Sequence, residues 1–560
     1  MKKTFFVLLC LLALTGCGTP QPAETGPSSP DSSSSASAPE VDPPKSSSSS
    51  SQEETPPPSS SSGSSGPSSS SGSGSSKPQS GSSAVQSSGT SAPPPASSSS
   101  ASEPPETQPP APDPYIEKLK KLVYDGFKAG PPQHKYIYPV TGSWTNTVTN
   151  YSYDTPGQAH LGWKVSWVLE GLDYAYRATG DRQFLETSIQ MFDALLAVRD
   201  DNLGRVAWDG NTYPLWGSIS RYNGAVYPMT DSSGNIIARL LFHCQANDQT
   251  YVAIVNVNGE SFDLKVKHKT TEYTLKGVTL ATLKKRVESE INWTYYGSPL
   301  PGKRVVTAEV ASDPVAPPAP ASYKLVDNTN VPTVIHTALV LEPMVNAYVA
   351  MRAEGYPRAD EYGRQIRLMF DTLMQHHWNP AGYFKEMDNS LTHLGGGSIV
   401  PWNQQLPLVA AMATFAKAEG DQQLAATVQK ACAYFMTKVT KTSTGYLWRY
   451  WEDPSKTVTY YETTNYAGID LTSIAAIYST GLGFTAADMN QIAKTISSRV
   501  LASSGKPATR IDGSTPSAAN IPLLYKFLPF GDRVPQLFTL LKNQTMSWDE
   551  AARMLYYMTL

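Results

Sequence analysis

Ala175-Tyr-Arg-Ala-Thr-Gly-Asp181 and Phe415-Ala-Lys-Ala-Glu-Gly-Asp421 share one pattern, and Val349-Ala-Met-Arg-Ala-Glu-Gly355 repeats it more loosely. In each, an apolar-periodic run ends at a glycine, the residue best able to take the left-handed conformation that closes a helix. In the first two an aspartate follows, and its carboxylate can accept from the free amides of the next helix. Each stretch therefore reads as the joint of a helical hairpin. Working outward from these joints, apolar residues recur at helical spacing over 114–129, 158–179, 182–199, 333–353, 359–377, 403–419, 421–440, 465–479, 485–503, 518–527, 531–541 and 546–558. Twelve such windows predict six hairpins, with Thr485 and Asp488 marking one start as a capping box in which Asp stands in for Glu or Gln.

Between about 217 and 332 that period breaks. Residues 237–243, 250–258 and 261–267 alternate or run apolar with β-branched side chains, and Asn258-Gly259 is a hairpin signal between two of them. Residues 279–291 read as a helix and 312–321 as a Pro/Ala-rich loop. The expectation is a small inserted α+β element above one face of the helical array, either an elaborated loop or a separate binding module.

Hairpins joined by Gly-Asp, with Trp-rich loops between them, resemble the (α/α)6 toroids, or six-hairpin folds, of glycoside hydrolases, polysaccharide lyases and the C-terminal domain of glucuronyl epimerases. The resemblance spans most of 114–560 and rests on Arg199-Asp200-Asp201, Val334-Ile335-His336-Thr337, Pro401-Trp402-Asn403-Gln404-Gln405, Trp448-Arg449-Tyr450-Trp451 and Glu462-Thr-Thr-Asn-Tyr-Ala-Gly-Ile-Asp470. It implies a mainly α, (α/α)6 toroid acting on a polysaccharide or oligosaccharide. It also implies an acidic pair, then Ser-His and Asp, in the last of these motifs. This chain has Thr463 in place of the second acid and Tyr466 in place of the His.

The chemistry-bearing candidates sit at helix starts and in loops between hairpins. Asn403, Gln404 and Gln405 open one helix directly after Trp402, a further substrate-binding candidate, and their side-chain amides with the backbone donors can hold a sugar hydroxyl or carboxylate, or merely cap the helix. Arg449 lies between Trp448, Tyr450 and Trp451, a carboxylate-binding fork beside stacking faces, with core packing as the plainer role. The chain holds 11 Trp and 30 Tyr, enough for a sugar groove and for a core. A lyase would use Asn403 or Arg449 to neutralise a uronate and Tyr466 or His336 as base. A hydrolase would draw two carboxyls from Glu462, Asp470, Glu386 and Asp388. The plainer roles are a core His336, an Asp470 that ties a helix to its neighbour, and a turn held by Asp200 and Asp201 with Arg205 and Trp208. No metal-ligand spacing, phosphate loop or nucleophile elbow occurs, so neither metal nor cofactor is expected.

The N-terminal part has a different character. Lys2 and Lys3 precede an apolar run, Phe5 to Leu14, too short to cross a bilayer. Leu14-Thr15-Gly16-Cys17 resembles the lipobox of bacterial lipoproteins, which implies acylation of Cys17 and an address on the extracellular face of the membrane. Residues 18–113 are mostly Ser, Pro and Gly with almost no large apolar side chain, so they cannot offset the entropy of ordering and are expected to form a disordered stalk. As a flexible coil this stalk spans roughly 50 to 60 Å.

Charge narrows the partners further. The first 113 residues hold four lysines against nine carboxylates, and the whole chain carries −3, which leaves residues 114–560 at about +2. Such a balance offers no footprint for nucleic acid and no attraction to an anionic membrane beyond the lipid anchor. Cys244 and Cys432 read as buried small hydrophobes. Two functional classes stay open: an enzyme that cleaves or modifies an extracellular glycan, and a non-catalytic glycan-binding or cell-wall lipoprotein.

Overall fold

Helices α1 (Pro114–Ala129), α2 (Ser166–Thr179) and α3 (Arg182–Ala197) open the folded part of the chain, and a π-helical turn, Leu161–Val165, leads into α2. The computed structural model describes residues 113–130, 144, 161–219, 223–243, 250–292, 306–312, 316–326, 329–392, 394–454, 458–503 and 505–560. The signal, the Cys17 lipobox, residues 18–112 of the linker and Cys244 lie outside the described residues.

A short helix α4 (Asp200–Leu203) follows, and then the insertion, with strands β1 (Gly217–Ser218), β2 (Ala225–Thr230), β3 (Ile236–Phe242), β4 (Thr250–Asn258), β5 (Ser261–His268), β6 (Thr271–Val278), helix α5 (Leu280–Glu290), β7 (Val306–Val310), β8 (Ala321–Leu325) and β9 (Val331–Pro332). Thereafter come α6 (Val334–Ala353), α7 (Ala359–His377), the ribbon β10 (Trp378–Asn379) and β11 (Tyr383–Phe384), α8 (Trp402–Glu419), α9 (Gln422–Lys438), and the ribbon β12 (Thr440–Thr442) and β13 (Gly445–Leu447). The chain ends with α10 (Thr464–Thr480), α11 (Ala486–Thr495) running into a π-turn (Ile496–Val500), a 3-10 helix (Ala518–Phe530), α12 (Gln536–Lys542) and α13 (Trp548–Thr559). The fold is mainly α.

The joints take the predicted form. Gly180 and Gly420 close their helices at φ 69° and 68°, Asp181 accepts from the Gln183 amide and Asp421 from the Leu424 amide at 2.9 Å. Thr485 and Asp488 form the reciprocal capping box. The stretch expected as two α-helices after residue 518 differs. Pro522 and Pro529 cannot donate to the helical ladder, so 518–530 winds as a 3-10 helix, and α12 starts only after Pro535.

Helix order follows from side-chain pattern. α6, α8 and α10 are apolar on all sides and bury most of their residues, whereas α3, α7 and α9 bury one stripe. The fully apolar helices are therefore central. α2 packs against α6, α6 against α8, α8 against α10, α10 against the 3-10 helix, the 3-10 helix against α13, and α13 against α2. α6 is long and apolar enough to cross a membrane by length and composition, and 78% of that stretch is buried inside the protein, as befits a central helix.

The insertion begins and ends on one ribbon, β1 pairing with β9 through Gly217↔Pro332 and Ser218↔Val331. Beyond this stem lie a three-stranded sheet, β2-β3-β7, and a four-stranded sheet, β6-β5-β4-β8. Phe242, Phe262, Leu264, Val266, Leu283 and Val287 belong to a hydrophobic core separate from that of the helices. Asp200 holds the stem, accepting from the Gly217 amide at 3.0 Å and from Asn330 Nδ2 at 2.6 Å, while Arg199 grips Asp201 through two nitrogens at 2.7 and 2.9 Å. The Arg199-Asp200-Asp201 motif is thus a structural clasp.

Candidate functional site

The starts of α6, α8 and α10 bring the sequence candidates to one end of the central helices. His336 lies in the first turn of α6, Asn403 and Gln404 in the first turn of α8, and Tyr466 in the first turn of α10, whose N-cap Thr463 accepts from the Tyr466 amide at 3.4 Å. A small apolar cluster of Ile335 and Leu339 from α6 with Ile469 from α10, flanked by Tyr466 and by Trp163 of the π-turn, joins these starts. His336 is 7% exposed and lies against Gly162, where an added Cβ would come within 2.9 Å of the histidine Cα. Only glycine permits that approach.

Three carboxyls at this end are buried. The backbone around Glu462 is held on both sides, its amide donating to the Trp448 carbonyl and its carbonyl accepting from the Ile511 amide, each at 3.0 Å. Its Oε1 accepts from the Thr463 amide at 2.7 Å, and Asp470 Oδ2 accepts from Trp448 Nε1 at 2.8 Å. Glu462 Oε2 and Asp470 Oδ1 have no hydrogen-bond partner among the described residues. Burial pushes Asp470 up to about 8, and burial together with the charge of Asp470 pushes Glu462 well above the usual carboxylate range. This pair keeps a proton at neutral pH. Glu386, from the loop after β11, is likewise pushed up to about 8 by burial, and its Oε2 is unpartnered. Asp388, by contrast, is exposed and paired with Lys385.

Further buried polar atoms have no hydrogen-bond partner among the described residues: Asn403 Oδ1 and Trp402 Nε1 at the start of α8, Thr333 Oγ1 and Thr337 Oγ1 at the start of α6, and Ser390 Oγ and Thr392 Oγ1 in the loop before α8. His377, which sequence reading passed over, belongs with them. Its Nδ1 lies 2.9 Å from the Lys385 carbonyl, which assigns the proton there and leaves Nε2 as an unpartnered acceptor, and burial holds the ring neutral by pulling its pKa down to about 4. Such atoms are rare inside native proteins. Gln405 is already occupied, accepting from the Phe384 amide and donating to the Val400 carbonyl.

The tryptophans expected to face a sugar are turned inward. Trp402 packs edge-on to Phe435 at 4.9 Å, Trp448 packs on the same ring at 5.8 Å, and Trp451 donates from Nε1 to the Ile399 carbonyl. All three are buried, and Asp453 ties the same stretch to Ile399 a second time by accepting from its amide. The accessible aromatic surface comes from tyrosines instead. Tyr450 stacks with Tyr466 at 5.4 Å and with Tyr460 at 6.2 Å, and the Arg510 guanidinium lies 5.1 Å from the Tyr460 ring. Arg449 is exposed beside this stack. Tyr460 and Arg510 were not singled out from sequence, since their only signal is Tyr460 lying two residues before Glu462.

Compared with known proteins, the chain matches no family model and no curated protein. Among the described residues no group of three or more His, Cys, Asp or Glu is placed to hold a metal ion.

Proposed function

We propose that this chain is a glycan-cleaving enzyme of the bacterial cell surface, held by an acylated Cys17 on a disordered stalk and built on an (α/α)6 toroid. The cyclic order of central helices, with α13 returning to α2, is the order such a toroid requires. The observation that carries the reading is the buried pair of carboxyls, Glu462 before α10 and Asp470 within it, each with an oxygen that has no partner among the described residues, beside the stack of Tyr450, Tyr460 and Tyr466.

A carboxyl that stays protonated at neutral pH is what a glycosidase needs in order to protonate a leaving oxygen. Stacked tyrosines offer flat faces to sugar rings. Elimination would need Tyr466 or His336 as base, whereas the buried acid pair of Glu462 and Asp470 supplies the protonated carboxyl that hydrolysis uses, so hydrolysis is favoured. Glu462 is fully buried next to the Arg449–Tyr461 bridge, so substrate access to its carboxyl requires local opening. The same burial favours the second reading, a glycan binder without chemistry.

The test is incubation of the full-length protein with a panel of polysaccharides, following unsaturated-uronate absorbance and reducing ends. Reducing ends alone, lost in Glu462→Gln, support the hydrolase. New absorbance would replace it with a lyase. Retention on an immobilised glycan without either product would leave the binder, and none of the three outcomes would remove carbohydrate from the account. Cys17→Ala is expected to shift the protein from the membrane fraction to the medium.

A further inference from the structure

The opposite end of the central helices holds a cavity of about 980 Å³, near the ~1,000 Å³ upper end of the range for ligand pockets. Its wall is drawn from the later turns of the central helices: Asp173 and Tyr174 from α2, Glu342 and Asn346 from α6, Thr414 and Lys417 from α8, Tyr478 and Ser479 from α10, and Tyr556 and Tyr557 from α13. Glu342 is the residue of α6 farthest from that helix's C-terminus to line it, so the carboxyl sits at the inner limit of the cavity.

Glu342 is also legible in sequence as the one charged residue between Val334 and Met351, an acid on an otherwise apolar helix. A carboxyl there costs several kcal/mol unless it is neutral or paired. The cations nearby are committed elsewhere. Arg177 pairs with Asp173 at 3.3 Å, Arg553 and Lys526 both pair with Glu170, Arg533 pairs with Asp532 at 2.7 Å, and Lys417 donates to the Ser479 carbonyl. No hydrogen bond to the Glu342 carboxyl is found among the described residues. What the cavity offers an occupant is therefore one unbonded carboxyl, tyrosine hydroxyls and tyrosine faces, with Asp173 and Asp532 already paired to Arg177 and Arg533 and Lys417 held by the Ser479 carbonyl. Ionic ligands gain little from such a wall. A chain of hydroxyls with flat apolar faces gains from each part of it.

We propose that this cavity is a second ligand site, distinct from the end that carries Glu462, and that it takes an uncharged oligosaccharide of several rings, with Glu342 and Asn346 bonding its hydroxyls and Tyr478, Tyr556 and Tyr557 lining its faces. Glu342 acts there as a hydrogen-bond donor. Burial and the neighbouring Glu170 push it up to about 8, against the opposing pull of Lys526 and Arg553, and Asp173 is the remaining charged group facing it. Binding is therefore strongest below that value and weakens as the carboxyl ionises.

The test is isothermal titration of the full-length protein with four neutral probes, cellohexaose, xylohexaose, mannohexaose and N-acetylchitohexaose, at about pH 6.5 and about pH 9.5. At least one probe is expected to bind at the lower pH and to bind roughly tenfold more weakly at the higher one. Glu342→Gln, which cannot ionise, is expected to abolish that pH dependence. Ala476→Trp, which places an indole in the cavity, is expected to weaken binding by at least tenfold, with unchanged circular dichroism as the control for folding. Failure of all four probes to bind, or equal binding by Ala476→Trp, would overturn the proposal. Binding that survives Ala476→Trp but disappears in Tyr450→Ala would assign the sugar to the other end, sinking this inference while leaving the proposed function standing. Binding lost in Ala476→Trp from a protein that cleaves nothing would do the reverse.

Discussion

Replacing Glu386 by glutamine isolates a single buried acid and gives a signed, measurable expectation. The side chain is 1% exposed, and burial alone raises its pKa from 4.5 to about 8. A carboxyl with a raised folded-state pKa is protonated in the native protein while the unfolded chain has already released its proton, so between the two values the native state binds more protons. Stability from this group is fully present below about pH 4.5 and is lost as pH rises towards about 8. Each tenfold change in the protonation equilibrium is worth ~1.4 kcal/mol, so the loss has a ceiling of about 5 kcal/mol, and relaxation around the ionised group should leave about 2 to 4 kcal/mol to be observed. Urea unfolding followed by tryptophan fluorescence, on wild type and Glu386→Gln at intervals from about pH 5 to about pH 9, reads this directly. Asp470 and Glu342 tilt both proteins in the same direction, so the difference between the two curves carries the Glu386 contribution. The variant should gain on wild type as pH rises. A difference that stays flat across this range would mean that Glu386 is ionised or solvated in the native state, and the burial argument would fail.

Trp448→Phe removes the donor to Asp470 Oδ2 and leaves that buried carboxyl without either bond, so it should lower stability by about 2 to 3 kcal/mol in the same urea assay. Asp421→Ala deletes both a helix N-cap and one of the two carboxylate partners of Arg367, for an expected loss of about 1 to 2 kcal/mol. Arg449→Ala and Tyr466→Phe should each slow glycan turnover at least tenfold, Arg449→Ala with Tm held within about 1 °C because its side chain is exposed. Normal turnover in both would place the chemistry elsewhere.

Local rules account for what was legible beforehand. Windows such as 114–129 and 359–377 coincide with the observed α1 and α7 because one apolar stripe, and for α1 the Asp113 cap, are properties of neighbouring residues. The Gly-Asp joints and the Thr485 box are equally local. Prolines at 522 and 529 were visible too, yet their effect on helix type depends on how strongly packing holds the segment together. The tryptophans show the limit most clearly. Trp402, Trp448 and Trp451 read equally well as a sugar platform or as core, since composition does not say which side of a loop faces solvent.

The chain's own order of residues was enough to determine its helical character, its hairpin joints and the break between 217 and 332, because hydrophobic period and capping act over a few residues. Only the tertiary structure decided that the insertion holds a core of its own, that Glu462 and Asp470 share one desolvated pocket, and that Glu342 faces a cavity. These features join side chains from elements far apart along the chain. Burial and its electrostatic consequences are set by what packs around a group, and that neighbourhood exists only once the central helices have come together.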